Sequence, residues 1–294
     1  PYKKNLFFFG TSFGFGFYLG SLHWIIHSLT FDESFRVLIP FGLILIPLFL
    51  SLFFSIMILL VGPYLNLNFA SIFLFSGSLA LSDYIRSKIL TGFPWNLWSY
   101  SFSWATEILQ VLSKLGLFAF NLLIITIFMA PAFLFLKIDF IKKFISILIM
   151  ILGLFFLYIY GSYSINKDLN TRNTDNKNYN IKVISPDFKL KYDLSMDEIK
   201  KRLDSLIRYS EPNKEIKTLF IWPEGVFSGY SFDDIKIFKK SFFNNFSENH
   251  FIVFGINYLD KEKIGYYNSL VVVNNKLEIQ NQYNKQKLVP FGEF

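Results

Sequence analysis

There is no cysteine anywhere in the 294 residues, and histidine occurs only three times. The first absence excludes disulfides and thiolate metal sites within the chain. The second leaves little for imidazole chemistry, since His23 and His27 fall in an apolar stretch and His250 precedes a strand core. No Gly-x-Ser-x-Gly nucleophile elbow accompanies them, which argues against a Ser-His-Asp triad. Charge is scarce too, at 17% of residues against about 25% in a soluble domain. No stripe of Lys and Arg interleaved with aromatics is present, so the net charge of +7 does not read as a nucleic-acid footprint.

What is abundant is apolar and aromatic surface, 52% and 20% of residues. It crowds into the part before Tyr163, whereas Asn166 onward is rich in Lys, Asp, Asn and Glu. This shift predicts a membrane-embedded first half and a water-soluble second half. A bilayer crossing needs about 20 apolar residues. Five stretches qualify: Leu6 to Leu29, Val37 to Val61, Leu67 to Ile85, Leu115 to Leu136, and Phe144 to Tyr163. Gly10/Gly14 and Gly16/Gly20 in the first have the four-residue spacing that lets helix backbones approach closely in lipid. His23 and His27, one helical turn apart, suit a two-histidine metal site, but no acid or cysteine accompanies them. They read better as an interfacial cluster with Trp24, and no metal is expected.

With five spans, Lys3/Lys4 and the Lys137, Lys142, Lys143 cluster fall on one side, which the positive-inside rule makes cytoplasmic. The loop Ser82 to Ser101 and everything after Tyr163 then lie outside. The resulting division is residues 1–165 as a transmembrane bundle, 166–179 as a polar linker, and 180–294 as a soluble domain. In that domain Ile181–Ile184, Thr218–Trp222 and Phe251–Asn257 read as strands. Between them lie helices from Ser195, which forms a capping box with Glu198, to about Tyr209, and from Phe232 to Phe246. Leu270–Val273, Asn274-Asn275 and Leu277–Ile279 read as a hairpin, and the alternation predicts a layered α/β domain.

Two segments carry candidate chemistry. Glu224 follows a strand directly in Trp222-Pro223-Glu224, and strand ends are where open α/β sheets place sites. From the triplet alone it is equally a solvated loop glutamate or a partly desolvated general base with a raised pKa. The other segment is Tyr283-Asn284-Lys285-Gln286-Lys287-Leu288-Val289-Pro290-Phe291-Gly292-Glu293, which taken residue by residue is a strand running into a turn.

Taken whole, that second segment resembles the stretch around the catalytic lysine of apolipoprotein N-acyltransferases, membrane-bound members of the nitrilase superfamily. Trp222-Pro223-Glu224 resembles the general-base motif of the same family, and Tyr267-Asn268-Ser269 a short motif between base and lysine. Thr91-Gly92-Phe93-Pro94-Trp95, with Tyr100-Ser101 beyond, resembles its membrane-proximal loop. The order of these parts matches along nearly the whole chain, although only about thirty residues carry the likeness. Lys287 stands where the family often has His, and Gly225 where it often has a small hydroxyl residue.

The resemblance implies a polytopic helical membrane bundle, open laterally to lipid, followed by part of a periplasmic nitrilase-like α-β-β-α domain in the bacterial inner membrane. It implies acyl transfer from a phospholipid to the N-terminal amine of a diacylglyceryl-cysteine lipoprotein, with no cofactor. Glu224 would be the general base, Lys285 the oxyanion partner and Glu293 a second orienting glutamate. Gly92, Trp95, Trp222 and Asn268 would lie near the substrate or lipid. The nucleophilic cysteine would lie some forty residues past Glu293, so the chain reads as a piece lacking both ends. The alternatives are a membrane-anchored nitrilase-type amidase, a transporter, and a non-catalytic lipid- or lipoprotein-binding relative. Several spans exceed what an anchored amidase needs, and neither an internal repeat nor mid-span charge supports a transporter.

Overall fold

The computed structural model describes residues 2–30, 33–89, 92–171, 179–188, 191, 194–260 and 265–286. The chain divides into two units, Pro1–Asn173 and Thr174–Phe294.

The first unit is helical: α1 (Tyr2–Leu22), α2 (Ile39–Val61), α3 (Phe69–Arg86), the short α4 (Thr106–Leu109) and α5 (Leu112–Leu115), α6 (Leu117–Phe128) and α7 (Phe140–Thr171). Among the described residues two segments, Glu33–Tyr64 and Phe140–Lys167, are long and apolar enough to cross a bilayer. The stretch expected as a fourth span breaks after α6. Pro131 lies in the 3-10 segment Ala130–Phe135 that follows and has no N–H to continue the α-helical ladder. The 12 residues of α6 reach about 18 Å, short of a bilayer core of about 30 Å. α7 instead runs on to Thr171, six residues into the stretch expected as a linker.

α1 and α2 pack through small residues. A Cβ on Gly10 would stand 2.7 Å from Ser55 Cα, and one on Gly14 2.9 Å from Ser51 Cα. Thr11 and Ser55 hydroxyls share a 2.8 Å hydrogen bond across the same contact. Close backbone approach supplies the dispersion contact that lipid cannot replace. Gly16 and Gly20, which share the spacing, meet nothing within 4 Å among the described residues. Only the first pair faces a neighbour.

The second unit holds one five-stranded sheet in the order β1-β2-β3-β4-β5, comprising β1 (Asn180–Val183), β2 (Thr218–Ile221), β3 (His250–Asp260), β4 (Gly265–Val273) and β5 (Ile279–Asn284). β1, β2 and β3 are parallel, joined by helical crossovers, and β3, β4 and β5 are antiparallel. The first crossover is α8 (Met196–Ser210), opened by the Ser195/Glu198 capping box. Ile199, Leu203, Leu206 and Ile207 recur at helical spacing and are buried against the sheet, worth about 1.5–3 kcal/mol each.

The second crossover is not the single helix expected. It is α9 (Phe232–Ile235), a 3-10 turn Lys236–Phe238 and α10 (Lys239–Asn245). Phe232, Ile235 and Phe238 are buried at three-residue steps, and three residues per turn keep such steps on one face. Both crossovers share one core with Phe220, Ile252, Phe254, Val271 and Val273 of the sheet. The opposite face carries exposed Ile181, Val183, Leu270 and Tyr283. Among the described residues the unit is therefore one helical layer on one sheet.

The β4–β5 connection is longer than a two-residue turn. Asn274 Oδ1 accepts from the backbone N–H groups of Lys276 and Glu278. Leu277, expected in the strand, takes a φ of 54° and buries its side chain in the core.

Candidate functional site

Glu224 leaves the C-terminal end of β2 in a turn that Gly225 allows with a φ of 74°. The turn lays its side chain beside β3, where Glu224 Cγ would be 3.6 Å from a Cβ on Gly255. Gly255 thus marks the face of β3 on which Glu224 lies. Asn257, two residues on, points to that same face and is paired with Asn268 of β4. The backbone N–H of Lys285 donates to the Asn268 carbonyl at 2.8 Å, continuing the register Ser269–Asn284 by one residue. Residues directly opposite in antiparallel strands share a face. By register, then, Asn257, Asn268 and Lys285 form a row across three strands on Glu224's side of the sheet.

Glu224 is exposed among the described residues, and its turn rises from the sheet face that the helices do not cover. Asn268 and Lys285 are half-buried. Glu293 lies outside the described residues, as do Thr91 and Lys287. The arrangement offers a carboxylate and an ammonium to one surface, with side-chain amides between them. That combination can take a proton and stabilise a developing oxyanion.

Trp222 requires correction as a substrate-proximal residue. Alternation along the chain turns it to the opposite face from Ile221, into the core, where it is 3% exposed. Its ring packs on Phe242, Phe246 and Phe254 at 5.6–6.1 Å, and its Nε1–H donates to Ser210 Oγ at 3.0 Å. Its work is to anchor the end of β2.

The membrane-proximal loop lies in the first unit. Gly92 has a φ of 93°, and a Cβ there would overlap the Ser87 carbonyl oxygen, so glycine is required for the return after α3. Trp95 is 44% exposed and stacks on Trp24 at 5.3 Å. Asn96 donates from its side chain to Ser21 Oγ, and Trp98 stacks on Phe17 at 5.0 Å. His23 and His27 lie in a 3-10 segment, His23–Thr30, not on the α-helix that one-turn spacing assumed.

Sequence reasoning missed the group that ties this loop down. Arg86, 2% exposed, donates from Nη1 to the carbonyls of Phe93 and Trp95, each at 2.7 Å, and from Nη2 to Asp83 at 2.9 Å. Asn121 of α6 donates to the other oxygen of Asp83 at 2.9 Å and accepts from the Ser99 N–H at 3.0 Å. The available signal was Asp83 and Arg86 three residues apart near the end of an apolar stretch, where ionisable residues are costly.

The two units define a class: an apolar helical unit followed by an open α/β sheet that carries Glu224 and Lys285 on one face. Residues 2–130 match the family described as Apolipoprotein N-acyltransferase N-terminal domain. Proteins named Apolipoprotein N-acyltransferase align along 97% of the chain. Those of Rickettsia prowazekii (strain Madrid E) and Rickettsia typhi (strain ATCC VR-144 / Wilmington) are 30% and 29% identical, and each is covered over 57% of its own length. That of Rhodopseudomonas palustris (strain ATCC BAA-98 / CGA009) is 26% identical and covered over 55%. The chain is similar to apolipoprotein N-acyltransferases along nearly its whole length, and it spans a little over half the length of these relatives.

Proposed function

We propose that the protein containing this chain transfers a fatty acyl group from a phospholipid to the N-terminal amine of a diacylglyceryl-cysteine lipoprotein. The observation that carries the reading is the shared sheet face of Glu224 and Lys285, one beside Gly255 and the other in register with Asn268. The name and length of the relatives support it. Glu224 takes the proton of a cysteine thiol downstream of Phe294, and the thiolate attacks the ester carbonyl. Lys285 stabilises the oxyanion of the tetrahedral intermediate. The ester C–O bond breaks, the lysophospholipid alkoxide leaves with the proton held by Glu224, and the acyl group remains as a thioester. The lipoprotein amine then attacks the thioester and loses a proton, forming the amide and regenerating the thiol. No step requires a metal or a redox partner. Glu293 is proposed to orient the pair.

In this reading the helical unit crosses the bacterial inner membrane several times, and the soluble domain, residues 180–294 of a nitrilase-like fold, faces the periplasm. The Gly92–Trp98 loop meets the donor lipid, where indole rings suit the bilayer interface. The test is the full-length protein given phospholipid vesicles and a diacylglyceryl-cysteine peptide. N-acylated peptide is expected from the wild type, and about 10²–10³-fold less from Lys285→Met, the range seen when an oxyanion partner is lost. An unacylated peptide with the wild type, or an unimpaired Lys285→Met, contradicts the reading.

A further inference from the structure

The loop from Gly92 to Leu97 has few bonds of its own. Pro94 has no N–H, and the carbonyls on either side of it, of Phe93 and Trp95, both turn to one atom, Arg86 Nη1. Phe93 N–H returns a bond to the Arg86 carbonyl at 3.1 Å, so side chain and backbone of one residue grip the loop together. The Tyr18 ring of α1 lies 5.5 Å from the guanidinium carbon. Asp83 balances the charge, and Asn121 links that carboxylate to the Ser99 N–H beyond the loop. Segments from α1, α3, α6 and the loop therefore meet at a single buried guanidinium. A lysine has one nitrogen and lacks the planar fork that serves three acceptors in fixed directions. Buried ionic groups seldom add stability over an apolar core, but their directional bonds specify one conformation. Here that conformation turns Trp95 outward onto Trp24.

We propose that Arg86 is a positioning residue: through the Phe93 and Trp95 carbonyls it holds the Trp95–Trp24 face in the shape that receives the phospholipid donor. It governs donor affinity and takes no part in bond making. The donor half of the proposal rests on the acyl-transfer reading above; the loop-holding half does not.

The test uses the full-length protein in vesicles of phosphatidylethanolamine and phosphatidylglycerol, with two readouts. The first is labelling of Ser99→Cys by a water-soluble maleimide, read by peptide mass spectrometry. Ser99 is 1% exposed and residues 1–294 contain no other cysteine to confuse the assignment. Labelling is slow with Arg86 present, about tenfold faster or more with Arg86→Met, and intermediate with Arg86→Lys, as local opening requires. The second is acyl-thioester formation from phospholipid and from a water-soluble short-chain ester. Arg86→Met raises the half-saturating phospholipid level about tenfold and leaves the maximal rate, and the rate with the soluble ester, within about twofold. Unchanged protection of Ser99→Cys, or an equal loss with both donors, overturns the proposal. A wild type that forms no acyl-enzyme from either donor overturns the functional reading and the affinity half with it, while the labelling arm stands or falls on Arg86 alone.

Discussion

Gly255 of β3 faces the side chain of Glu224, with 3.6 Å between Glu224 Cγ and the point where a Cβ of residue 255 would stand. That spacing is ordinary van der Waals contact, so a methyl group fits and anything larger must move the glutamate. Gly255→Ala is expected to retain acyl transfer, while Gly255→Leu reduces it by about 10²-fold, the effect of displacing a catalytic group by about 1 Å. Circular dichroism of both variants checks that the sheet still forms. Full activity in Gly255→Leu would separate Glu224's position from the chemistry.

The two glycine pairs of α1 make a matched test of packing. Gly10→Leu forces a side chain against the Ser55 backbone and should cost about 1–3 kcal/mol. Gly16→Leu meets nothing within 4 Å and should stay within about 0.5 kcal/mol. Denaturant titration of helical content in detergent distinguishes them, and equal costs would refute the α1–α2 contact described.

Trp222 is expected to matter for folding and not for chemistry. Trp222→Phe loses the bond to Ser210 and should cost about 1 kcal/mol. Trp222→Ala should cost about 3–5 kcal/mol. Acyl-enzyme formed per folded Trp222→Phe molecule should equal the wild type. A fall beyond the folded fraction would return Trp222 to the site.

The start of α8 carries a pH signature. Lys191 donates to Glu198 at 2.7 Å and the Ser195 N–H at 2.8 Å, holding its carboxyl at about 2 against an ordinary 4.5. A depressed folded-state value means the carboxylate stabilises fully above 4.5 and loses that contribution as pH falls towards 2. Unfolding midpoints of wild type and Glu198→Gln should therefore differ above 4.5 and converge near 2. A gap independent of pH would exclude the ionised capping box as its source.

Much of this architecture was legible in the sequence where a local rule decides it. Ser195 and Glu198 opened α8 as the capping box requires, and the first three strands were read from short apolar runs between amphipathic helices. That Glu224 and Lys285 act together was an expectation from a resemblance, since 60 residues lie between them and the β3-β4-β5 register sets the face on which Lys285 lies. What stayed hidden was set by three-dimensional contact. Trp222 looks like part of a motif in one dimension, but alternation sends it into the core. The break after α6 lay in a stretch whose apolar run continues through Pro131. Arg86 lies one residue past the third expected span, and its bonds to Phe93 and Trp95 depend on a loop folding back over it.

The most direct measurement is mass spectrometry of the full-length protein after incubation with phospholipid vesicles, comparing wild type with Glu224→Gln. An acyl thioester on a cysteine downstream of Phe294 is expected in the wild type and absent in the variant, because Glu224 is the proposed acceptor of the thiol proton. Equal thioester in Glu224→Gln would contradict the assignment of the general base and, with it, the site built on β2, β3 and β5.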